Sequence, residues 1–346
     1  MKEEVIFFTE HLSLMLKGGV PIVEVLETLK SGIKSESFRR VLDDISKSIL
    51  EGKSLYWALG RHSKIFDQFY ISIIRISEES GSLEENLKYL SQKLRRDNEM
   101  KKKVKGALIY PAIIVFLALV ITFTTTLFIL PKITNLFQFL EIDLPLATKI
   151  LISATVFFQK YWLFILVGII ASFVILGFLR RLKLFKLYFD KISLFLPLFG
   201  PIMKNFNLLF LSRTLFTLLK SGVPLIQALR ICAETVPNET YKRNLLSVKL
   251  TVERGEKISS GLEKFSKIFP PVFFQMVLVG ERSGTLEESL LYLAEYYEEE
   301  TDATLKNLSN ILEPALLILV GIFVAFVAIA VIVPIYKFTG QLRFRQ

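Results

Sequence analysis

The four residues Glu51-Gly52-Lys53-Ser54 match the end of a nucleotide-binding P-loop, and they are the first candidates for chemistry in this chain. A complete P-loop has a further glycine five positions before the second one, so that backbone N–H groups can surround the phosphates. Lys47 stands at that position, and no predicted strand leads into the segment. We therefore expect no nucleotide site here.

Other residues that could do chemistry are few and scattered. His11 and His62 lie outside any His-x-x-x-His or Glu-x-x-His pattern, and Cys232 is the only cysteine, which excludes an intramolecular disulfide. The sequence thus predicts a chain that is not an enzyme and has no cofactor or metal site. One alternative stays open, because an acidic run could chelate a hard cation such as Ca²⁺ instead of being solvated or paired with a basic partner. Its members are Glu295, Glu298, Glu299, Glu300 and Asp302.

The composition lies between that of a soluble protein and that of a fully membrane-buried one. The 346 residues are 52% hydrophobic and 22% charged, with a mean hydropathy of +0.47 and a net charge of +10. The basic residues cluster beside apolar runs and lack interleaved aromatic residues, which argues against nucleic acid as a partner. We expect soluble lobes attached to a few membrane spans.

Three apolar runs are long enough to cross a bilayer as helices: Ala107–Leu130, Trp162–Leu179 and Ala315–Val333. None carries a charge at its centre, whereas ion-coupled transport usually needs one. The alternative interpretation is a small polytopic transporter or a membrane-embedded enzyme. It would require polar or charged residues within the spans, and the central parts of the three runs carry no charge.

Lysine and arginine residues predict the orientation of the spans, because they concentrate in cytoplasmic loops. They cluster before the first span, at 95–105, and after the second, at 180–186, while the stretch between carries only three. Both large polar regions are therefore expected in the cytoplasm, under an inner membrane. Three spans then place the C-terminal tail outside, against the preference of its own basic residues.

The chain contains an internal repeat with a constant offset of 203 residues and no gap. Leu16-Lys17-Gly18-Gly19-Val20-Pro21 corresponds to Leu219-Lys220-Ser221-Gly222-Val223-Pro224, and Ser80-Gly81-Ser82-Leu83-Glu84-Glu85 to Ser283-Gly284-Thr285-Leu286-Glu287-Glu288. The correspondence extends into the first and third spans, at Pro111 and Pro314. Such a match indicates a duplicated unit of lobe and span.

Each lobe has helical periodicity and helix-terminating signals, so the predicted class is all-α, with about six antiparallel helices per lobe and about three transmembrane helices. Glycine in Gly19-Val20-Pro21 would end one helix, and the proline would start the next in its first turn. Ser82 would cap a further helix, with Glu85 as its capping-box partner. Glu78 and Glu281, at helix ends, are interpreted as closing their junctions through backbone N–H groups, with direct partner contact as the alternative.

The two copies differ in charge where each lobe leads into its span. Residues 83–106 carry eight Lys/Arg and four Asp/Glu, whereas residues 286–309 carry one Lys and seven acids. These opposite charges could attract each other or address different partners. The simpler interpretation is a pair of solvated faces.

The repeated motifs resemble the F-domain family of type II secretion systems, the GspF/PilC-like platform proteins of type II secretion and type IV pilus machines. Its junction pattern, Gly-Glu-x-Ser-Gly-x-Leu, is complete at 280–286, and the first copy has Ser77 in place of the leading glycine. The resemblance implies an inner-membrane assembly platform that couples a hexameric secretion ATPase to the assembly of pilin-like (pseudopilin) subunits. It also implies other inner-membrane assembly proteins as partners, and the few spans suggest a homo-oligomer.

The predicted organisation is F-domain copy 1 at 1–106, a span at 107–130, an external loop and helix lead-in at 131–160, a span at 161–180, copy 2 at 181–308, a span at 311–336 and a tail at 337–346. The candidate motif or partner-contact residues are Gly19, Pro21, Glu78, Ser80, Gly81, Leu83, Gly222, Pro224, Gly280, Glu281, Ser283, Gly284 and Leu286.

Overall fold

A computed structural model describes residues 2–124, 183–196 and 199–343, with scattered positions between 149 and 175. The chain divides into two compact units. The first comprises residues 1–103 and 186–304, and the second comprises residues 104–185 and 305–346. The described residues contain helices and turns and no strand, which confirms the all-α class.

The first unit begins with the helices of copy 1. These are α1 (Lys2–Lys17), α2 (Ile22–Gly32), α3 (Glu36–Leu50), α4 (Leu55–Gly60), α5 (Gln68–Ser80) and α6 (Leu83–Thr124). Helix α6 continues through the beginning of the first apolar run. The predicted number of about six helices per lobe is therefore confirmed for this copy.

Copy 2 repeats the same series after an additional helix, α7 (Lys183–Phe195), which has no counterpart among the helices of copy 1. The series is α8 (Gly200–Lys220), α9 (Leu225–Thr235), α10 (Glu239–Glu253), α11 (Ile258–Glu263), α12 (Pro271–Ser283) and α13 (Leu286–Arg343). Helices α9 to α12 begin and end 203 residues after α2 to α5, so the sequence repeat is also a repeat of structure.

Glycines with positive φ fix the same turns in both copies. Gly19 and Gly222 have φ of 78° and 82° at the turns after α1 and α8, a conformation that glycine adopts without steric cost. Pro21 and Pro224 occupy the N-cap positions of α2 and α9, one residue before the predicted first turn. Both have the extended ψ that is typical of an N-cap residue, and the N–H that proline lacks would have no helical partner at this end of a helix.

The core of each lobe contains aromatic side chains at equivalent positions. Phe38, Phe66 and Tyr70 pack together in copy 1, and Tyr241, Phe269 and Phe273 replace them in copy 2. The phenol hydroxyl has moved to a different position of the cluster. In each copy it has a hydrogen-bond partner, Thr9 Oγ1 at 2.9 Å from Tyr70 and the Ile268 carbonyl at 3.2 Å from Tyr241. Buried hydroxyls need such partners.

Two helices are long and apolar enough to span a membrane. They are Leu83–Ile121, within α6, and Leu286–Ile329, within α13, and the apolar window of each is exposed. These helices overlap two of the predicted spans and have the length and composition that the membrane-spanning helices of a membrane protein require. The predicted span at 162–179 lies mostly outside the described residues. The bent pair Leu187–Phe195 and Gly200–Lys220 also has the required composition, but its second helix is buried along most of its length and forms part of the lobe core.

Candidate functional site

The repeated glutamates bind the N-terminus of a short helix that lies 23 residues earlier in the chain. In copy 1, the Glu78 carboxylate accepts hydrogen bonds from the backbone N–H groups of Leu55 (2.6 Å) and Tyr56 (2.8 Å) at the start of α4. Such N–H groups have no partner within their own helix, and the helix dipole favours an anion there. Backbone binding by Glu78 was predicted, but at its own junction. The structure assigns it to α4.

Copy 2 repeats this clamp with one additional bond. The Glu281 carboxylate accepts from the N–H of Ile258 at 2.8 Å and from Ser259, through its N–H at 3.4 Å and its hydroxyl at 2.6 Å. The Glu78 carboxylate also occupies the place where the P-loop-like segment at 51–54 would present N–H groups to a phosphate. The helix after that segment, α4, already holds an anion from the same chain, so its first N–H groups are used.

The serines of the junctions bond within the junctions themselves. Ser80 Oγ donates to the Ile76 carbonyl and lies 2.6 Å from Ser82 Oγ, which also accepts a bond from the Asn86 side-chain amide. Ser82 therefore contacts side chains instead of forming the predicted capping box. Ser283 repeats the pattern with the Val279 carbonyl and Thr285. Gly81 and Gly284 end α5 and α12 with φ of 71° and 73°, and Leu83 and Leu286 begin the next helices.

Gly280 is required by close packing between α12 and α13. A Cβ at this position would lie 2.4 Å from Ser289 Oγ and 3.0 Å from the Leu286 Cα. Real side chains do not approach so closely, so only glycine fits without a shift of the helices. Copy 1 has Ser77 here, and its buried hydroxyl donates to the Ile73 carbonyl. The leading glycine of the motif is therefore a packing requirement of copy 2.

The two lobes are joined by a buried network of charged side chains. Arg213 of α8, only 5% exposed, donates to Asp97 of α6 at 3.3 Å and to Glu298 of α13 at 2.6 Å. Asp97 also binds Lys93 at 2.9 Å. The Lys93 ammonium lies over the rings of Phe69 and Phe210, one from each lobe, at 4.3 and 4.6 Å from their centroids. Ammonium groups bind ring faces favourably at such distances.

The oppositely charged segments of the two copies therefore attract each other. Lys103 binds Asp302 at 2.5 Å and Arg96 approaches Glu298 at 4.0 Å, so two carboxylates of the acidic run are paired with cations of copy 1. These pairs support attraction between the two copies, and the paired side chains remain partly exposed to solvent. No group of three or more metal-ligating side chains occurs in the described part of the chain.

Sequence reasoning did not identify Arg213 or Lys93. Arg213 lies in the apolar run of α8, Leu208-Leu209-Phe210-Leu211-Ser212-Arg213, and a lone cation on a helix that is otherwise buried requires a buried acid as partner. That signal could have been noticed. Lys93 is one of eight cations in its segment, and nothing in the sequence separates it from its exposed neighbours.

Together, these features define a two-lobed helical membrane protein whose lobes are repeats of one another. The chain belongs to the family described as type II secretion system (T2SS), protein F, whose sequence model matches residues 8–131 and again residues 211–334. The two matches are themselves 203 residues apart, which agrees with the repeat. The resemblance to this family is confirmed.

The curated relatives align with almost the whole chain. The type IV pilus assembly protein PilC of Myxococcus xanthus is 29% identical over 341 residues, which cover 99% of this chain and 82% of the relative. The PilC of Pseudomonas aeruginosa is 29% identical over 335 residues, covering 96% and 89%. The type II secretion system protein F of Vibrio cholerae is 27% identical over 329 residues, covering 95% and 81%.

Proposed function

We propose that this chain is an assembly platform of the inner membrane, in a type II secretion or type IV pilus machine, and is not an enzyme. It would couple a hexameric cytoplasmic ATPase to the assembly of pilin-like subunits, together with other inner-membrane assembly proteins, as a homo-oligomer. Membership of the protein F family and the names of the relatives support this role.

The observation that carries the proposal is the charged network between the lobes. Arg213, Asp97 and Glu298 connect α8 of copy 2 with α6 of copy 1 and with α13. Because α6 and α13 are also the helices that contain the apolar segments, a force applied to one lobe would reach both segments instead of being lost at a flexible joint. A platform that transmits motion between a motor and membrane subunits needs this stiffness.

The proposal includes the predicted topology, with the domain limits 1–106 and 181–308 in the cytoplasm and the spans at 107–130, 161–180 and 311–336. Reporter fusions at Leu50 and Leu250, which are 69% and 53% exposed, test it directly. Both reporters should show cytoplasmic activity. A periplasmic signal from either position would contradict the proposed orientation.

Binding of the ATPase is tested with the full chain in nanodiscs and the cognate hexamer. Capture at low salt should weaken as ionic strength rises, because exposed charges are screened. As a matched comparison, an Arg213→Met chain should still bind the ATPase but should fail to support filament assembly in a deletion strain. No capture at low salt would refute the docking, and full assembly by the variant would refute the role of the network.

A further inference from the structure

The contact between the lobes uses different surfaces of the two copies. Copy 1 contributes α5 and α6, including Lys93 and Asp97, while copy 2 contributes α8, α9 and one side of α13, including Arg213 and Glu298. The turn after α8 takes part as well, since a Cβ at Gly222 would lie 3.8 Å from the Ile76 side chain of α5. The contact is thus heterologous: one face of the repeat packs on another, and a two-fold arrangement would use the same face twice. Each copy therefore has one such face that the other copy does not cover.

The uncovered face of copy 1 is formed by α1 and α6, and we name it the α1 face. Glu10 pairs with Arg95 at 3.3 Å, and these are the repeat equivalents of Arg213 and Glu298 with the two charges exchanged. The side chains of Glu10 and Arg95 are 48% and 62% exposed, and Leu14 is 67% exposed. A groove of about 380 Å³ beside them is lined by Lys17, Lys88 and Arg95 as well as Glu10.

The uncovered face of copy 2 is formed by α12 and α13, and we name it the α13 face. It exposes Val272 (43%), Val279 (56%) and Tyr292 (51%). The equivalent of Val272 in copy 1, Phe69, is 1% exposed, and the Lys93 ammonium lies between its ring and that of Phe210 in the other copy. These three are the repeat equivalents of Phe69, Ile76 and Tyr89, which lie in or beside the contact between the lobes.

We propose that the α13 face of one molecule docks on the α1 face of a second copy of this chain, as α5 and α6 of copy 1 dock on copy 2 within each molecule. The surfaces have complementary charge. The groove of the α1 face carries three cations and one acid, whereas the segment 286–309 carries seven acids and one lysine.

The ion pairs at the periphery of the internal contact have repeat equivalents that would form ion pairs between two molecules. Within a molecule, Arg96 pairs with Glu298. Their repeat equivalents, Glu299 and Arg95, would pair between molecules, with the two charges exchanged. Likewise, Lys103 pairs with Asp302 within a molecule, and their equivalents, Lys306 and Glu99, would pair between molecules. The central pair, Arg213–Asp97, has no attractive counterpart between molecules, because its equivalents, Glu10 and Glu300, are both acidic. The contact between molecules is therefore weaker than the one within a molecule, and it depends on concentration.

Cross-linking between two differently tagged, co-expressed chains tests this arrangement. Tyr89 and Phe216 lie across the internal contact with ring centroids 6.5 Å apart, and their equivalents are Tyr292 and Ser13. One chain carries Ser13→Cys and the other Tyr292→Cys, and membranes are treated with a short bismaleimide. The parent chain is the control, because burial raises the pKa of the Cys232 thiol to about 12 and keeps it protonated.

We expect a cross-link between the two tags and none within either population. Cross-linking of Tyr292→Cys chains to each other would overturn the proposal in favour of a two-fold contact, and no cross-link at all would overturn it as well. Each cysteine chain must resist protease as the parent does, so that a misfolded variant is not counted.

A charge exchange tests the register of the contact. Arg95→Glu in the Ser13→Cys chain, or Glu299→Arg in the Tyr292→Cys chain, should lower the yield about threefold, which corresponds to about 0.65 kcal/mol and lies within the range for an exposed ion pair. The two changes together should restore it. Arg40→Glu, in an exposed pair on α3, is the control and should change nothing. A combined variant no better than the single ones would refute the proposed surfaces.

This inference rests on one part of the proposed function, the proposal that the chain forms a homo-oligomer. The cross-link requires no ATPase or pilin-like subunit, so its failure would leave the docking of the motor to be judged by its own experiment.

Discussion

Replacement of Arg213 by methionine removes the guanidinium from between Asp97 and Glu298 and keeps most of the side-chain volume. Asp97 retains Lys93 at 2.9 Å, whereas Glu298 keeps only Arg96 at 4.0 Å. Loss of one partner from a buried ion pair costs about 3–5 kcal/mol of unfolding free energy. Because both carboxylates keep a cation nearby and Glu298 is partly exposed, we expect a loss of about 3 kcal/mol, at the lower end of that range.

The repeat supplies a matched control at the equivalent position. Glu10→Gln removes the charge from the Glu10–Arg95 pair, which is exposed on both sides, and exposed pairs contribute about 0–1 kcal/mol. Pulse proteolysis of the full chain in detergent at increasing urea concentration measures both losses. Equal losses for the two variants would refute the argument that the burial of Arg213 makes the network strong.

A second substitution in the same chain separates the network from simple packing. If Glu298→Gln is combined with Arg213→Met, the loss should be smaller than the sum of the two single losses, since the second change removes a charge that the first left poorly paired. Strict additivity would show that the two side chains act independently.

Three further outcomes are expected. Glu281→Gln should lower the stability of copy 2 by about 1–3 kcal/mol, because it weakens the anion that binds the α11 N-terminus; limited proteolysis near residue 258 detects it, and unchanged cleavage would contradict the clamp. Gly280→Ala should destabilise by about 1–3 kcal/mol through overpacking, whereas Gly106→Ala, with open space around it, should be neutral or slightly stabilising in the same assay. Burial raises the pKa of both Tyr70 and Tyr241. The stability that these phenols contribute is therefore complete below about pH 10, the pKa of tyrosine in the unfolded chain, and is lost as the pH rises further. A melting temperature that stays constant above pH 10 would contradict this.

Most of the fold could be predicted from local sequence signals. Glycine at Gly19 and Gly81 and proline at Pro21 and Pro224 fix helix ends through backbone sterics alone, which a single sequence reveals. The constant offset then transferred each signal from one copy to the other. Helix α7 was not predicted as a separate element, since it follows the second predicted span without a distinctive boundary and has no repeat to support it.

The contacts between helices were harder to predict. The carboxylate of Glu78 reaches α4, 23 residues away, and no local pattern indicates which helix end a glutamate will bind. Opposite charges on 83–106 and 286–309 suggested attraction, but the decisive residue, Arg213, lies in neither segment. Its partners depend on how α8 packs between α6 and α13, a property of tertiary structure.

The presence of both lobes in one polypeptide has a kinetic consequence. The covalent connection raises the effective concentration of copy 2 near copy 1, which favours closure of each newly made molecule on itself over capture of a lobe from another chain. Exchange of lobes between molecules, a common failure of repeat proteins, is thereby suppressed while the chain folds. The proposed association between complete molecules would then follow as a separate event, governed by how much protein the membrane contains.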